Sequence, residues 1–375
     1  MKIAIEAQRL FRTNKHGMDF VALETIRELQ KIDTINEYYI LVAPGSDHCL
    51  NATNNFHILE LKCPTYPLWE QFALPKAIRK IRPNLLHCTS NTAPLYCSVP
   101  LILTLHDIIF LEKRAASNIS IYQNMGWYYR RFIVPRILPK CKKIITVSQF
   151  ECNHILETLD LSEQQIIAIH NGYNQRFHPL ENVSEIIRKY IPHDDYLFFL
   201  GNTDPKKHTP RTLKAYSIYL KKSTHPLPLL IADLEEKVID RILAQQNISE
   251  IKPMLYFPGY ITHADLPAIY NKAKVFLYTS LRESFGIPLL EAMACGTPVI
   301  TSCTSAIPEI AGEGAILISP EDENAIAGEL LKLENDPSYY KQQIAYGLER
   351  VKKFSWQATA RQVLNIYLSL IHISE

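Results

Sequence analysis

Lys274-Val-Phe-Leu-Tyr-Thr-Ser-Leu-Arg-Glu-Ser-Phe-Gly-Ile-Pro-Leu-Leu-Glu-Ala-Met-Ala-Cys-Gly-Thr-Pro-Val-Ile-Thr-Ser302 is the stretch on which the architecture turns. Its apolar run 275–278 reads as a buried strand. A polar turn follows, and Pro288 suits the first turn of a helix, where a missing N–H costs nothing. That helix continues through Leu289, Leu290, Ala292 and Met293. Gly296 is placed to end it in the left-handed conformation, and Pro298 stops it before the next apolar strand, 299–301. The turn presents backbone N–H groups at a helix N-terminus, and Gly286 lets that backbone approach a ligand closely, as a phosphate requires. Glu283 stands just before the helix, and Glu291, eight residues later, falls in about its first turn. An anion site bracketed by two acceptors suits a diphosphate carrying hydroxyl-rich groups at both ends.

The same residues carry a family resemblance. Glu283 and Glu291, with Phe-Gly-Ile-Pro-Leu between them and Glu-Ala-Met-Ala-Cys-Gly-Thr-Pro-Val-Ile following, resemble the donor-binding motif of retaining glycosyltransferases of family 4, which have the GT-B fold. The resemblance implies an α/β protein with two Rossmann-like domains facing each other across a cleft. A C-terminal helix would cross back to the N-terminal domain.

Bulk properties agree with that size and class. The chain has 375 residues, enough for two domains with separate cores. Its net charge of +2, with 47% hydrophobic and 21% charged residues, is ordinary for a globular protein and does not point to nucleic acid. Eight cysteines are scattered without a Cys-x-x-Cys pair, and read as reduced core residues of a cytosolic protein. Met1-Lys-Ile-Ala-Ile-Glu enters a strand at once, so no signal peptide is expected. No apolar run approaches the ~20 residues of a membrane span.

The first half alternates short apolar runs with helical patterns, as a parallel sheet with covering helices does. Strands are expected at 2–7, 39–43, 57–61, 85–88, 101–105, 143–147 and 166–169. A helix over 18–30 has an apolar stripe at Phe20, Ala22, Leu23, Ile26 and Leu29. It starts after Gly17, at the carboxyl end of the first strand, where open α/β sheets bind ligands. Leu103-Thr-Leu-His-Asp places His106 and Asp107 at the end of another strand. From 113 to 143 there are eight basic residues, Lys113, Arg114, Arg130, Arg131, Arg136, Lys140, Lys142 and Lys143, and no acidic one. Trp127, Tyr128, Tyr129, Phe132 and Ile133 interleave with Arg130 and Arg131. Two readings stay open here: a surface resting on anionic lipid headgroups, or rings packed in the core beside a solvated basic face.

The segment from Tyr173 to 195 is polar, with Pro179 and Pro192, and reads as the connection. The domains are then 1–172, 196–355 and a closing helix over 356–375, with 1–172 taking the acceptor and 196–355 the nucleotide sugar. In the second domain a strand at 196–200 precedes Gly201-Asn-Thr-Asp-Pro-Lys-Lys-His, and further strands are expected at 229–232 and 255–260.

The resemblance assigns roles residue by residue. Gly201 to His208 is similar to the family's Gly-x-x-x-Pro-Arg-Lys-Asn element, so Lys207 would neutralise the donor diphosphate, with Lys206 as a substitute for the family's arginine. His208 replaces an asparagine. Glu283 would hold the donor sugar hydroxyls, Glu291 the ribose, and the backbone around Phe285, Gly286, Ile287, Pro288 and Leu289 the diphosphate. Tyr260 would neighbour the base. Gly17 is similar to the family's donor-phosphate loop glycine, and His106 would reach the donor sugar without serving as general base. No Asp-x-Asp lies near a phosphate turn, so no metal and no further cofactor is implied.

The implied reaction is transfer of a hexose from a nucleotide diphosphate sugar to a hydroxyl, with retention. The pattern looks most like bacterial polysaccharide mannosyltransferases, which implies GDP-mannose and a lipid-linked or growing glycan as acceptor. UDP-linked glucose, galactose or N-acetylhexosamine is the alternative, followed by a GT-B epimerase or phosphorylase and by a non-catalytic nucleotide-sugar-binding subunit. The protein would be cytoplasmic, with peripheral contact to the inner face of the membrane through 113–143.

Overall fold

The computed structural model describes residues 1–13, 15–112 and 121–371, the side chains of 121–123 and 371 excepted; Asn14, residues 113–120, Lys113 and Arg114 among them, and residues 372–375 lie outside the described residues. The chain forms two compact units, Met1–Gly172 with Ser355–Glu375, and Tyr173–Phe354.

The first unit carries β1 (Lys2–Glu6), β2 (Glu37–Val42), β3 (Phe56–Glu60), β4 (Leu85–Cys88), β5 (Leu101–Thr104), β6 (Cys141–Thr146) and β7 (Ile166–Ala168). The second carries β8 (Tyr196–Leu200), β9 (Leu229–Ala232), β10 (Leu255–Gly259), β11 (Ala273–Tyr278), β12 (Val299–Ser302) and β13 (Ile316–Ile318). The helices used below are α1 (Gly17–Ile32), α2 (Ile121–Ile137), α3 (Thr209–Lys222), α4 (Ile287–Ala294) and α5 (Trp356–Ile371).

Both sheets are parallel throughout, with orders β3-β2-β1-β4-β5-β6-β7 and β10-β9-β8-β11-β12-β13. Parallel strands covered on both faces read as unbroken apolar runs, and β4, β5, β9 and β12 are buried at every position. The expected strands are therefore found to within about two residues. In each sheet the order reverses beside the first strand, between β1 and β4 and between β8 and β11. A crevice opens there at the carboxyl ends of the strands.

The closing helix α5 belongs to the first unit. Ala360, Val363, Ile366 and Tyr367 share a core with Leu23, Ile26 and Leu29 of α1. His87 of β4 bonds Tyr367 Oη through Nδ1 at 2.6 Å and Thr104 Oγ1 through Nε2 at 2.8 Å. Burial holds that imidazole neutral, its pKa lowered to about 3.

Residues 173–195, polar on average, pack into the second unit. Phe177, Ile187 and Ile191 are buried, and Leu180 N donates to Asn271 Oδ1 at 2.7 Å. All eight cysteines are free; Cys88, Cys141, Cys152 and Cys295 are buried, whereas Cys303 is exposed and so is not a core residue.

Candidate functional site

In the second unit the loops leaving β8 and β11 meet at the reversal point. Leu281 N donates to Lys206 O at 2.7 Å, which splices the two loops together. The β11 loop is fixed further by Glu283 N donating to Ser305 Oγ at 3.0 Å and by Thr304 Oγ1 donating to Leu281 O at 2.9 Å. Gly286 occupies the N-cap of α4 at φ +103°, and a Cβ there would stand 3.0 Å from Ile307 Cδ1. Only glycine adopts that backbone without strain. Pro288 sits in the first turn of α4 and Gly296 is left-handed at φ +76° just past its end, as the sequence requires. At this N-terminus Pro288 has no N–H and Leu289 N donates to Gly286 O at 3.0 Å, which leaves the N–H of Ile287 without an intrahelical carbonyl at the positive end of the helix dipole.

Lys207 closes a short 3₁₀ turn, Pro205–Lys207, and its Nζ lies 2.6 Å from Glu283 Oε1, with both side chains largely shielded. The ammonium also sits 5.2 Å from the centre of the Tyr278 ring, and the Tyr278 hydroxyl bonds Glu283. Cation and carboxylate thus face each other beside a helix N-terminus. A diphosphate entering there would take Lys207 as its counter-ion and release Glu283 to accept hydrogen bonds from hydroxyls. Lys206 is placed differently: its ammonium pairs with Asp204 at 3.7 Å, and only its carbonyl joins the loop splice. His208 adopts φ +57°, a left-handed conformation that histidine, like asparagine, enters more readily than most residues.

Glu291 lies in the second turn of α4, one turn later than expected. Burial raises its pKa to about 7, opposed by the positive charge of Arg176. Phe285 and Leu289 are buried, Phe285 edge-on to Phe354 at 6.0 Å, so their side chains serve the core and only their backbone is available. Tyr260 follows left-handed Gly259 at the end of β10 and is 69% exposed.

His106 and Gly17 belong to the first unit. His106 is buried at the end of β5, its N–H donating to Asn91 Oδ1 at 2.6 Å and its Nε2 lying 2.9 Å from Thr89 O. A carbonyl can only accept, so Nε2 carries the proton and Nδ1 is left as an acceptor. Burial lowers its pKa, which keeps the ring neutral. Asp19, fully buried, pairs with Arg9 at 3.1 Å and caps α1 by accepting from His16 N at 2.9 Å. Arg9, Asp19 and Asn91, whose charges or hydrogen bonds reach His106, were not singled out by the sequence, although an acidic residue at the third position of a helix, as Asp19 is in α1, is a capping signal. Gly17 opens α1, with nothing within 4 Å of an added Cβ.

The basic aromatic segment divides between its two readings. Ile133, Val134 and Ile137 of α2 are buried, and Trp127 and Tyr129 pack against the same core. On the outer side Met125, Tyr128 and Phe132 are exposed at spacings of three and four. Arg136 lies 3.9 Å from the Phe132 ring centre and Arg131 4.4 Å from that of Trp127. Among the described residues no helix is long and apolar enough to cross a membrane.

Two family models match the chain, one described as Glycosyltransferase Family 4 over residues 16–177 and one as Glycosyl transferases group 1 over residues 184–350. Over 233 residues the chain is 28% identical to the O-antigen chain mannosyltransferase B of Escherichia coli, a match spanning 61% of this chain and 61% of that protein's own length. It is 25% identical over 323 residues to the O-antigen chain mannosyltransferase RfbU of Salmonella typhimurium, covering 83% of each. Among solved structures, a sucrose-phosphate synthase from Thermosynechococcus elongatus superposes with a TM-score of 0.76 at 20% identity, covering 99% of both chains, a likeness of fold.

Proposed function

The chain belongs to the family 4 glycosyltransferases of GT-B fold, and on that premise we propose that it transfers a mannosyl group from GDP-mannose to a hydroxyl of a lipid-linked or growing cell-surface glycan, with retention at the anomeric carbon. The observation that carries the reading is the Lys207–Glu283 pair, 2.6 Å apart, set where the loops of β8 and β11 meet the N-terminus of α4. The two relatives named as O-antigen mannosyltransferases support mannose as the sugar.

In this reading the second unit binds the donor and the first the acceptor. Lys207 and the backbone around Phe285 to Leu289, in which Pro288 has no N–H and that of Leu289 already reaches Gly286 O, take the diphosphate. They stabilise the charge that develops as the bond from the anomeric carbon to the phosphate oxygen breaks. The electron pair leaves with the diphosphate, the acceptor oxygen bonds to the anomeric carbon, and its proton passes to the departing phosphate oxygen. Glu283 accepts from the sugar hydroxyls, Glu291 from the ribose, and Tyr260 neighbours the base. His106 offers Nδ1 to a sugar hydroxyl, Gly17 keeps the start of α1 open, and Lys206 adds positive potential.

The exposed row Met125, Tyr128 and Phe132, with Arg131 and Arg136 alongside, would rest on anionic headgroups at the inner face of the membrane. Sedimentation with anionic vesicles should fall when Arg130, Arg131 and Arg136 become Glu; unchanged sedimentation refutes that contact.

Calorimetric titration with GDP, UDP, GDP-mannose and UDP-glucose, with and without chelator, tests the donor. Chelator-insensitive binding of GDP and turnover of GDP-mannose are expected. Binding of UDP alone would overturn the choice of donor, and turnover without an acceptor would point instead to an epimerase.

A further inference from the structure

The first unit carries a groove that the transfer reaction does not use. It encloses about 510 Å³ between the helix Leu74–Ile81, the loop leading into β5 and the 3₁₀ turn Leu138–Lys140 at the foot of α2. That volume falls within the ~300–1,000 Å³ usual for small-molecule sites. Ile78, Leu95 and Val99 are among its walls, and the exposed side chains of Arg79, Tyr96 and Lys140 stand at its rim. Leu101 opens β5 and Lys140 directly precedes β6, so the groove lies at the amino ends of these strands. His106 follows the opposite end of β5, roughly 13 Å of strand away. A molecule held in the groove therefore anchors the unit and does not react.

Every residue lining the groove comes from a stretch of chain free of acidic side chains. Residues 71–106 contain Lys76, Arg79, Lys80 and Arg82 and no Asp or Glu, and residues 113–143 contain eight basic residues and again none. Among the described residues neither rim cation has a carboxylate partner. Lys140 Nζ donates to Leu95 O at 2.8 Å and lies 5.4 Å from the centre of the Tyr96 ring, while Arg79 Nε donates to Pro75 O at 3.4 Å. Two cations left without a carboxylate above apolar walls complement a ligand that joins an anion to an apolar chain. The groove also continues the exposed row of α2: Met125, Tyr128, Phe132 and Arg136 follow at spacings of three and four, and Lys140 stands four residues further on. We infer that the groove holds an anionic phospholipid of the membrane, its phosphate between Arg79 and Lys140 and the start of an acyl chain against Ile78, Leu95 and Val99. The inference rests on the membrane contact proposed above and adds to it a seat for a single lipid molecule.

The test is calorimetric titration of the full chain with dihexanoyl phosphatidylglycerol, kept monomeric below its micelle concentration, beside dihexanoyl phosphatidylcholine and inorganic phosphate. Sedimentation with phosphatidylglycerol vesicles is followed in parallel. Wild type binds the glycerol lipid more tightly than either comparison ligand. Arg79→Gln and Lys140→Gln each weaken it about fivefold, the worth of one cation at an anionic surface. Ser98→Trp, at an exposed position that lines the groove, fills it and abolishes binding. Arg131→Gln and Arg136→Gln, outside the groove, lower vesicle sedimentation and leave the monomeric lipid bound. Inorganic phosphate or the choline lipid binding as tightly as the glycerol lipid overturns the inference, as does lipid binding unmoved by Ser98→Trp. No monomer binding, with sedimentation still dependent on Arg131 and Arg136, overturns the groove alone and leaves the membrane contact standing. Neither monomer binding nor sedimentation overturns both. If Ser98→Trp fails to fold, the two glutamine variants at Arg79 and Lys140 decide.

Discussion

The two units build the same parallel sheet with the same reversal of strand order, yet they fill the resulting crevice in opposite ways. In the first unit two buried carboxylates, Glu70 and Glu6, are well satisfied. Glu70, fully buried, accepts from Tyr66 Oη at 2.5 Å, Tyr129 Oη at 2.6 Å, Gln71 Nε2 at 3.0 Å and from Thr92 Oγ1. Glu6 accepts from Gln8 N at 2.9 Å and Thr89 N at 3.1 Å. In the second unit Lys207 and Glu283 hold each other at 2.6 Å, and the buried Tyr270 hydroxyl has no hydrogen-bond partner. A satisfied network specifies a structure, whereas an unsatisfied one waits for a ligand.

The sharpest way to break that contrast is to exchange the consequences of losing a carboxylate. Glu283→Ala should lower turnover at least ~10³-fold, the upper range for removing a group that acts on the transition state, while leaving the unfolding midpoint in place. Normal turnover in the folded variant would remove Glu283 from the site. Glu70→Ala should do the reverse. Orphaning several buried hydroxyls should cost about 3 kcal/mol in urea unfolding, with the nucleotide Kd unchanged; a Kd that moved with it would mean the first unit's network is not merely structural. Gly286→Ala forces φ +103° on a residue with a Cβ, and should cost about 1–3 kcal/mol and weaken GDP binding as the turn shifts.

The smallest effect concerns protons. Burial raises the pKa of Glu6 and of Glu291 to about 7, from an ordinary 4.5. Between those values the folded protein keeps protons that the unfolded chain has released, so stability falls as pH rises through that window. Glu6→Gln and Glu291→Gln should each flatten the slope, by up to about 1.4 kcal/mol per pH unit. Only Glu291→Gln should also abolish the gain in GDP affinity expected as pH rises through 7 and the carboxylate ionises to receive the ribose hydroxyls. Titrations at about pH 6 and pH 8 would separate the two, and equal behaviour of both variants would remove Glu291 from the ribose.

The same contrast explains what could be read from the chain. Fully buried parallel strands leave long apolar runs, so β8 and β9 are legible residue for residue. The turn into α4 is legible because Gly286, Pro288 and Gly296 each mark a backbone state within a few residues. The Glu70 network is not, because Tyr129 is 59 residues away and Thr92 is 22, and the π-helical turn Trp69–Ala73 that aims Glu70 has no sequence period of its own. Nor is the protonation of Glu291, which comes from burial that only the packed structure creates. The basic aromatic segment was ambiguous for a related reason: its rings face both ways, Tyr129 inward and Tyr128 outward.

The bond from Leu281 N to Lys206 O makes nucleotide affinity a readout of chain register. Lys207 and Glu283 are 76 residues apart, and they meet only when β8 and β11 lie side by side in the observed alignment, Phe198 opposite Phe276. A slip of one residue would turn every side chain of the strand to the other face and carry the carboxylate away from the ammonium. A refolding time course followed by GDP binding would therefore report the correct joining of these two strands, separately from the overall recovery of secondary structure.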